Sequence, residues 1–321
     1  MGDFEASAKA EANVVKVNDI SANADFNIIN NISIPTTDAS KPSLLARVFS
    51  QARQAVNPIQ FASEVAIARR IKTESDITVY DAYRQNMPWL TDQQAFLLAN
   101  GYTSTPDQAC NVFSVFELAE EELQNQEAPK PLEPVILDGI IEGAKLAYDA
   151  ELRKMWVALL SSAERKPGEV SRRTLAILSA MGKEEALVFE KICSFVAFDE
   201  NSGPGILILM EDDRNGTTYN NGAILYSELC MLESLGLFTI SAGYYPNITY
   251  CNGLTLKTSD KTIKISTEAE DRTFSIRNGA LTEYGCELAK ACSIRSSFIL
   301  DDLIKRKAEA QGFVVDITKR I

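Results

Sequence analysis

The chain has 321 residues, with 32 Lys and Arg against 44 Asp and Glu, no histidine and a formal net charge of −12, the composition of an ordinary globular protein of about two domains. Without histidine, Ser-His and Cys-His nucleophiles, His-ligated zinc, haem or iron, and a histidine pH switch are all excluded. The negative field also works against a chain that coats DNA, RNA or an anionic membrane, although a local basic face is compatible with it.

In chain order, residues 1–42 are rich in Ala, Asn, Ser and Asp and run into Pro35 and Pro42, a composition too dilute for much core, so they are expected to form a mobile arm. The opening MGDFEASAKAEANVVKV has no basic stretch followed by an apolar run, so no secretory signal is expected and the compartment is read as cytoplasmic. A helical region is expected over 43–126. It opens with Leu44, Leu45, Val48, Phe49, Ala52 and Val56 at three-to-four spacing, one apolar stripe read as core packing, and Asn57-Pro58 closes it. A second helix is expected from Ile59 to about Ile71. Short helices broken by Pro88 and by the turn at 101–106 come next, then a helix from Val112 to Asn125 that carries Glu120-Glu121-Glu122 as a solvated face. Residues 127–134 hold three prolines, Pro129, Pro131 and Pro134, and are read as an extended linker between domains. The first 134 residues carry 18 acidic and 10 basic residues, so the acidity is concentrated before that linker.

From 135 to 321 one further domain is expected. Val135 to about Ser162 reads as helical, divided near Gly143 and Asp149. Ser171 is placed to cap a helix through Leu178, because its hydroxyl accepts from the free amides of a first turn. The next helix begins near Gly182 with Glu184 and Glu185 facing the positive end of its dipole, and its stripe runs to Val196. Trp156, Leu159, Leu175, Leu178, Phe189 and Ile192 fall on apolar stripes of three successive helices and are expected to share one buried cluster.

The stretch LRKMWVALLSSAERKPGEVSRRTLAILSAMGKEEALVFEKICSFV, residues 152–196, resembles the bacterial family catalogued as domain of unknown function 2806. The elements that carry the likeness are Leu152, Trp156, Ala158, Leu159 and Leu160, then Pro167, Gly168, Ser171, Arg173, Thr174 and Leu175, then Glu184, Glu185, Ala186, Phe189, Lys191 and Cys193. The likeness extends over roughly 135–317 and implies an architecture and a bacterial origin, with no assigned chemistry. It departs from the family at Ser161-Ser162 and Glu169-Val170.

Past Phe198 the pattern changes. Gly205 to Met210 reads as a strand, Glu211 to Gly222 as a loop with turns at Asn215-Gly216 and Asn221-Gly222, and Ile224 to Leu235 as a helix stopped by Gly236. β-like segments come after it at 248–257, 262–267 and 273–277, then Leu281-Thr282-Glu283-Tyr284-Gly285-Cys286-Glu287-Leu288, which resembles the Leu-Thr-x-x-Gly-x-Glu-Leu that closes many winged-helix domains. An amphipathic helix over 298–310 and a strand over 313–317 end the chain. The expected class is therefore α+β and mainly helical, with a winged-helix-like C-terminal part.

For chemistry, Glu211-Asp212-Asp213 invites a Mg²⁺ reading. Adjacent residues on an extended chain point to opposite faces, so a solvated loop is the preferred one. There is no phosphate-binding glycine motif, and the six cysteines, without a Cys-x-x-Cys pair, read as buried thiols. No enzyme activity and no cofactor are expected. Lys257, Lys261 and Lys264 around the expected wing are the candidate nucleic-acid contacts. The recognition-like helix 225–234 holds no Lys or Arg and two Glu, which disfavours major-groove reading. The leading expectation is a non-enzymatic interaction or regulatory protein that acts through a protein partner or self-association, with no membrane contact. A DNA-binding regulator linked to mobile elements or phage defence is the alternative.

Overall fold

The computed structural model describes residues 79–99, 101–123, 132–199, 205–210, 217–239, 248–251, 254–268, 273–276 and 278–319, together with Leu44. The expected arm at 1–42 and, apart from the buried Leu44, the expected helices of 43–71 lie outside the described residues. Two compact units divide the chain, Met1–Pro106 and Asp107–Ile321.

In the first unit, α1 (79–86) and α2 (Asp92–Ala99) flank the Pro88 break. Thr91 starts α2 by a reciprocal cap: its Oγ1 accepts from the Gln94 N–H at 3.3 Å while its own N–H donates to Gln94 Oε1 at 2.9 Å. Arg84 Nε lies 2.8 Å from Asp92 and ties the two helices together.

The boundary falls at the first residue of α3 (Pro106–Leu123), which from Asp107 onward belongs to the second unit. Proline fits a first helical position, where no N–H is needed, so the expected turn at 101–106 runs straight into the helix. The division falls ahead of the expected linker at 127–134 because α3 belongs with the segments C-terminal to that linker. Its Ala109, Val112, Val115, Phe116 and Ala119 are buried, and Asn111 Nδ2 donates to the Lys145 carbonyl at 3.1 Å.

Next come α4 (Pro134–Ala144), α5 (Ala150–Arg165), α6 (Arg172–Ala180) and α7 (Lys183–Cys193). The long expected helix is split just after Gly143, with Asp149 as the N-cap position of α5. Ser171 caps α6, its Oγ accepting from Thr174 N–H at 3.2 Å. Trp156, Leu159, Leu175, Leu178, Phe189 and Ile192 are all buried. A Cβ at Gly143 would sit 2.0 Å from the Trp156 ring, so the glycine is what lets α4 lie against that tryptophan.

The helix expected to reach Val196 stops at Cys193, and the chain becomes β1 (Val196–Asp199), followed by β2 (Gly205–Ile208), β3 (Thr218–Tyr219), β4 (Ile224–Leu225), α8 (Tyr226–Ser234) and β5 (Phe238–Thr239). Gly236 terminates α8 with φ +76°. Then come β6 (Ile248–Cys251), β7 (Leu254–Lys257), β8 (Lys261–Ser266), β9 (Thr273–Ile276), β10 (Asn278–Leu281), α9 (Glu283–Cys292), α10 (Leu300–Glu309) and β11 (Val314–Lys319). Seven strands form one antiparallel sheet in the order β11-β8-β7-β1-β2-β10-β5, and β3–β4 and β6–β9 form separate pairs. The architecture is α+β and mainly helical. The expected wing, the β7–β8 hairpin, is not free-standing: β1 pairs with one side of it and β11 with the other.

Strand alternation assigns the two sheet faces. Leu254, Leu256, Ile263 and Ile265 are buried on one, beneath α10, whose Leu300, Leu303, Ile304 and Ala308 are buried too. Phe198, Lys257, Thr262 and Lys264 share the other by register, and α9 packs there, Lys290 lying over the Phe198 ring.

Candidate functional site

The helix α9 organises the surface with the most chemistry. Thr282 starts it: its Oγ1 accepts from Gly285 N–H at 3.1 Å and donates to the Gly236 carbonyl at 2.7 Å, while its N–H donates to the Leu237 carbonyl at 3.0 Å. A Cβ at Gly285 would lie 2.1 Å from that same Leu237 oxygen. The Thr-x-x-Gly spacing therefore has a mechanical cause: threonine caps the helix, and glycine admits the backbone of the α8–β5 turn. One turn later, Glu287 Oε2 accepts from Ser171 N–H at 2.9 Å and from the Thr174 hydroxyl. The two segments singled out by sequence, Ser171–Leu175 and Leu281–Leu288, thus meet at one carboxylate.

At its far end α9 closes with Ser293 in the left-handed conformation, φ +48°, an uncommon state for a residue other than glycine. Three clefts adjoin the Cys292–Ile294 segment. One, of about 370 Å³, mixes Glu122, Glu151 and Glu190 with Lys154 and Arg165. A second, of about 520 Å³, is bordered by Leu187, Lys191, Ser194 and Arg295. The third, of about 360 Å³, lies between α9 and the sheet and is lined by Phe198, Lys257, Thr258, Ser259, Lys290 and Ser293 among others.

Burial, with Glu190 and Glu122 adding to it, pushes the Cys292 thiol up to about 12. Burial foremost also raises the Cys193 thiol well above its ordinary value and raises Cys286, in spite of the Gly205 N–H and Lys290. These thiols carry their protons at neutral pH, the opposite of what a thiolate nucleophile needs.

The three lysines expected around the wing do not act together. Lys257 and Lys264 are diagonal neighbours on the α9 side of the sheet, because Lys257 faces Thr262 and Thr255 faces Lys264. Lys261 points to the opposite face, its side chain 11% exposed, with Nζ 2.9 Å from both oxygens of Asp301 on α10. Asp316 of β11 stands directly opposite Lys264. Sequence reasoning missed Phe198 and Lys290, which topology brings to Lys257 from segments far away in the chain. The Glu211-Asp212-Asp213 run lies outside the described residues. Among the described residues no group of three Cys, Asp or Glu side chains gathers to hold a metal ion, and no helix is long and apolar enough to cross a membrane.

One edge of the sheet is β5, two residues long, and the other is β11, six residues long and paired with β8 from Val314 to Lys319. Val314 is 70% exposed, and Asp316 and Thr318 are exposed on the same side.

Together these features define an α+β protein whose cleft-bearing surface is built around a single capped helix. The family model described as protein of unknown function (DUF2806) matches residues 103–299, and the chain belongs to that family. The match begins earlier than the resemblance expected from 135, since it takes in α3, and it ends just before α10. No curated protein and no solved structure matches the chain.

Proposed function

We propose that the protein works without catalysis, by binding a protein partner that adds a strand to β11. One observation carries this reading: β11 is a six-residue edge strand, held in place along its whole length by β8, and among the described residues no strand pairs with its outer side. Such an edge presents a row of backbone donors and acceptors on which an extended segment can dock, its backbone supplying affinity and alternate side chains supplying specificity. Strand addition adds side chains beside Val314, Asp316 and Thr318 on one face, so a partner strand with apolar and basic residues in that alternation fits best.

The test places a photo-activated cross-linking residue at Asp316 and, as a control, at the exposed Glu184 of α7 in the full chain in its native host. A partner captured from position 316 and not from 184 supports the reading. Equal capture at both positions, or none at 316, refutes it.

A second reading, nucleic-acid contact, draws on the shared face of Lys257 and Lys264. It ranks lower because Lys261 is committed to Asp301 and Asp316 offsets Lys264. Weak, salt-sensitive and sequence-independent binding of duplex DNA is what two lysines in an acidic chain would give.

A further inference from the structure

We propose that the strand added to β11 is β11 of a second copy of this chain, the two running antiparallel about a two-fold axis with Thr318 facing Thr318. The inference rests on the edge reading above and names the occupant of that edge.

Symmetry limits the register. In an antiparallel pair, directly opposite residues lie on the same face of the sheet, and along each strand the faces alternate. When the two strands are identical, the residue that faces itself on the axis sets every other pair. Centred on Asp316, the pairing would put two carboxylates directly opposite each other, which is destabilising. Centred on Ile317, it would set Asp316 against Thr318 and Lys319 against Val315, so neither charge would meet one of opposite sign. Centred on Thr318, it sets Asp316 against Arg320, Ile317 against Lys319 and Val315 against Ile321, each pair occurring twice. Arg320 and Ile321 lie outside the described residues and enter by their place in the sequence. Opposite charges and paired threonines across strands are both favourable contacts. Asp316 is exposed and makes no ion pair among the described residues. The basic residue that a strand beside Asp316 calls for thus stands four positions further along the same chain, the spacing that an axis through Thr318 makes reciprocal.

The strand is also held ready. Every residue from Val314 to Lys319 is paired with β8. The turn into it is fixed by Phe313, which is 3% exposed: its N–H donates to the Ala308 carbonyl at 2.9 Å, and its ring meets Phe274 edge-on with centroids 5.2 Å apart. A strand ordered before binding loses little conformational freedom when its twin arrives. Closure argues for a second copy as well. A long free edge invites open-ended aggregation, and two-fold pairing consumes both β11 edges at once. The junction is one strand from each copy, against the roughly 20–30 residues a side of a standard interface, so the dimer is reversible and concentration-dependent.

The experiment follows the full chain by sedimentation velocity over a hundredfold range of concentration at constant ionic strength. It compares the parent with Asp316→Arg, with Arg320→Asp, with an equimolar mixture of the two, and with the double variant Asp316→Arg/Arg320→Asp, recording the melting temperature of each. Each single substitution places like charges opposite each other twice and is expected to weaken the parent dimer about tenfold or more. In the mixture and in the double variant every 316–320 pair again has opposite signs, so the dimer is expected to return, which also shows that the variants are folded. A parent chain that stays monomeric overturns the proposal. So does a dimer that both single variants leave intact, or one that neither the mixture nor the double variant restores. A monomeric parent that still cross-links from position 316 to a different protein overturns self-pairing alone; a monomeric parent with no capture at 316 overturns the edge reading with it.

Discussion

The contact between Gly143 and Trp156 makes a sharp prediction about what holds the helical layer together. Trp156 is 2% exposed, and truncating a buried tryptophan to alanine costs about 3–5 kcal/mol through lost transfer energy and a residual cavity. Gly143→Ala in isolation would gain up to about 1 kcal/mol from helix propensity. Its new methyl, however, would meet Trp156 Cζ2, Cη2 and Cε2 at 2.0, 2.1 and 2.7 Å, and overpacking of this kind costs about 1–3 kcal/mol. The single substitution is therefore expected to destabilise the protein. In a Trp156→Ala background the obstructing ring is gone and the methyl fills part of the cavity, so the same substitution becomes neutral or stabilising. The double-mutant cycle, read from urea unfolding followed by circular dichroism, is expected to show a coupling of at least about 1 kcal/mol. Additive effects, with Gly143→Ala equally costly in both backgrounds, would refute the packing described for α4 and α5.

Gly285→Ala would drive a methyl against the Leu237 carbonyl at 2.1 Å. Backbone gives way less readily than a side chain, so a loss near 3 kcal/mol in urea unfolding is expected. The raised Cys292 and Cys193 thiols predict alkylation near pH 8 far slower in the folded chain than in denaturant, as measured by mass spectrometry. Because folding holds the Cys292 proton above the ordinary thiol range, its contribution to stability is full below about pH 9 and is lost as pH climbs towards about 12, so urea midpoints should fall across that interval. Asp260 behaves in the opposite sense. Burial alone would raise its carboxyl, but hydrogen bonds from Ser296 and Thr258, with Lys261 nearby, bring it below the ordinary value. The stability it contributes is present above the unfolded carboxylate range and lost as pH falls through the folded one, and Asp260→Asn should flatten that acid slope.

Much of the helical layer was legible because its signals are local. The Ser171 cap, the split near Gly143 and Asp149, the Gly236 stop and the six buried residues of the expected cluster all come from spacing within a few turns. The sheet was harder to read. β1 is four residues long and continues the apolar stripe of α7 without a break in composition, so periodicity had no window in which to change from 3.6 to 2. The breadth of the sheet rests on pairings between distant segments, β11 with β8 and β10 with β2, which no local pattern announces. The same cause divided the candidate lysines. Lys257, Lys261 and Lys264 read as one basic cluster along the chain, yet strand alternation sends Lys261 to the opposite face, and the cation that joins Lys257 at the pocket comes from α9.

The range matched by the family model separates the surface around α9 from the β11 edge. Residues 103–299 hold the whole of the pocket: Phe198 on β1, Lys257 on β7, the turn at Thr258 and Ser259, and Lys290 and Ser293 at the end of α9. They also hold the cap at Thr282, the close approach at Gly285 and the Glu287 carboxylate that fixes α9 against α6. The edge strand β11 and the helix α10 lie beyond the match. The cap, the close approach and the carboxylate that hold α9 are thus all built from residues within the family match, whereas the edge strand on which the proposed function rests lies outside it.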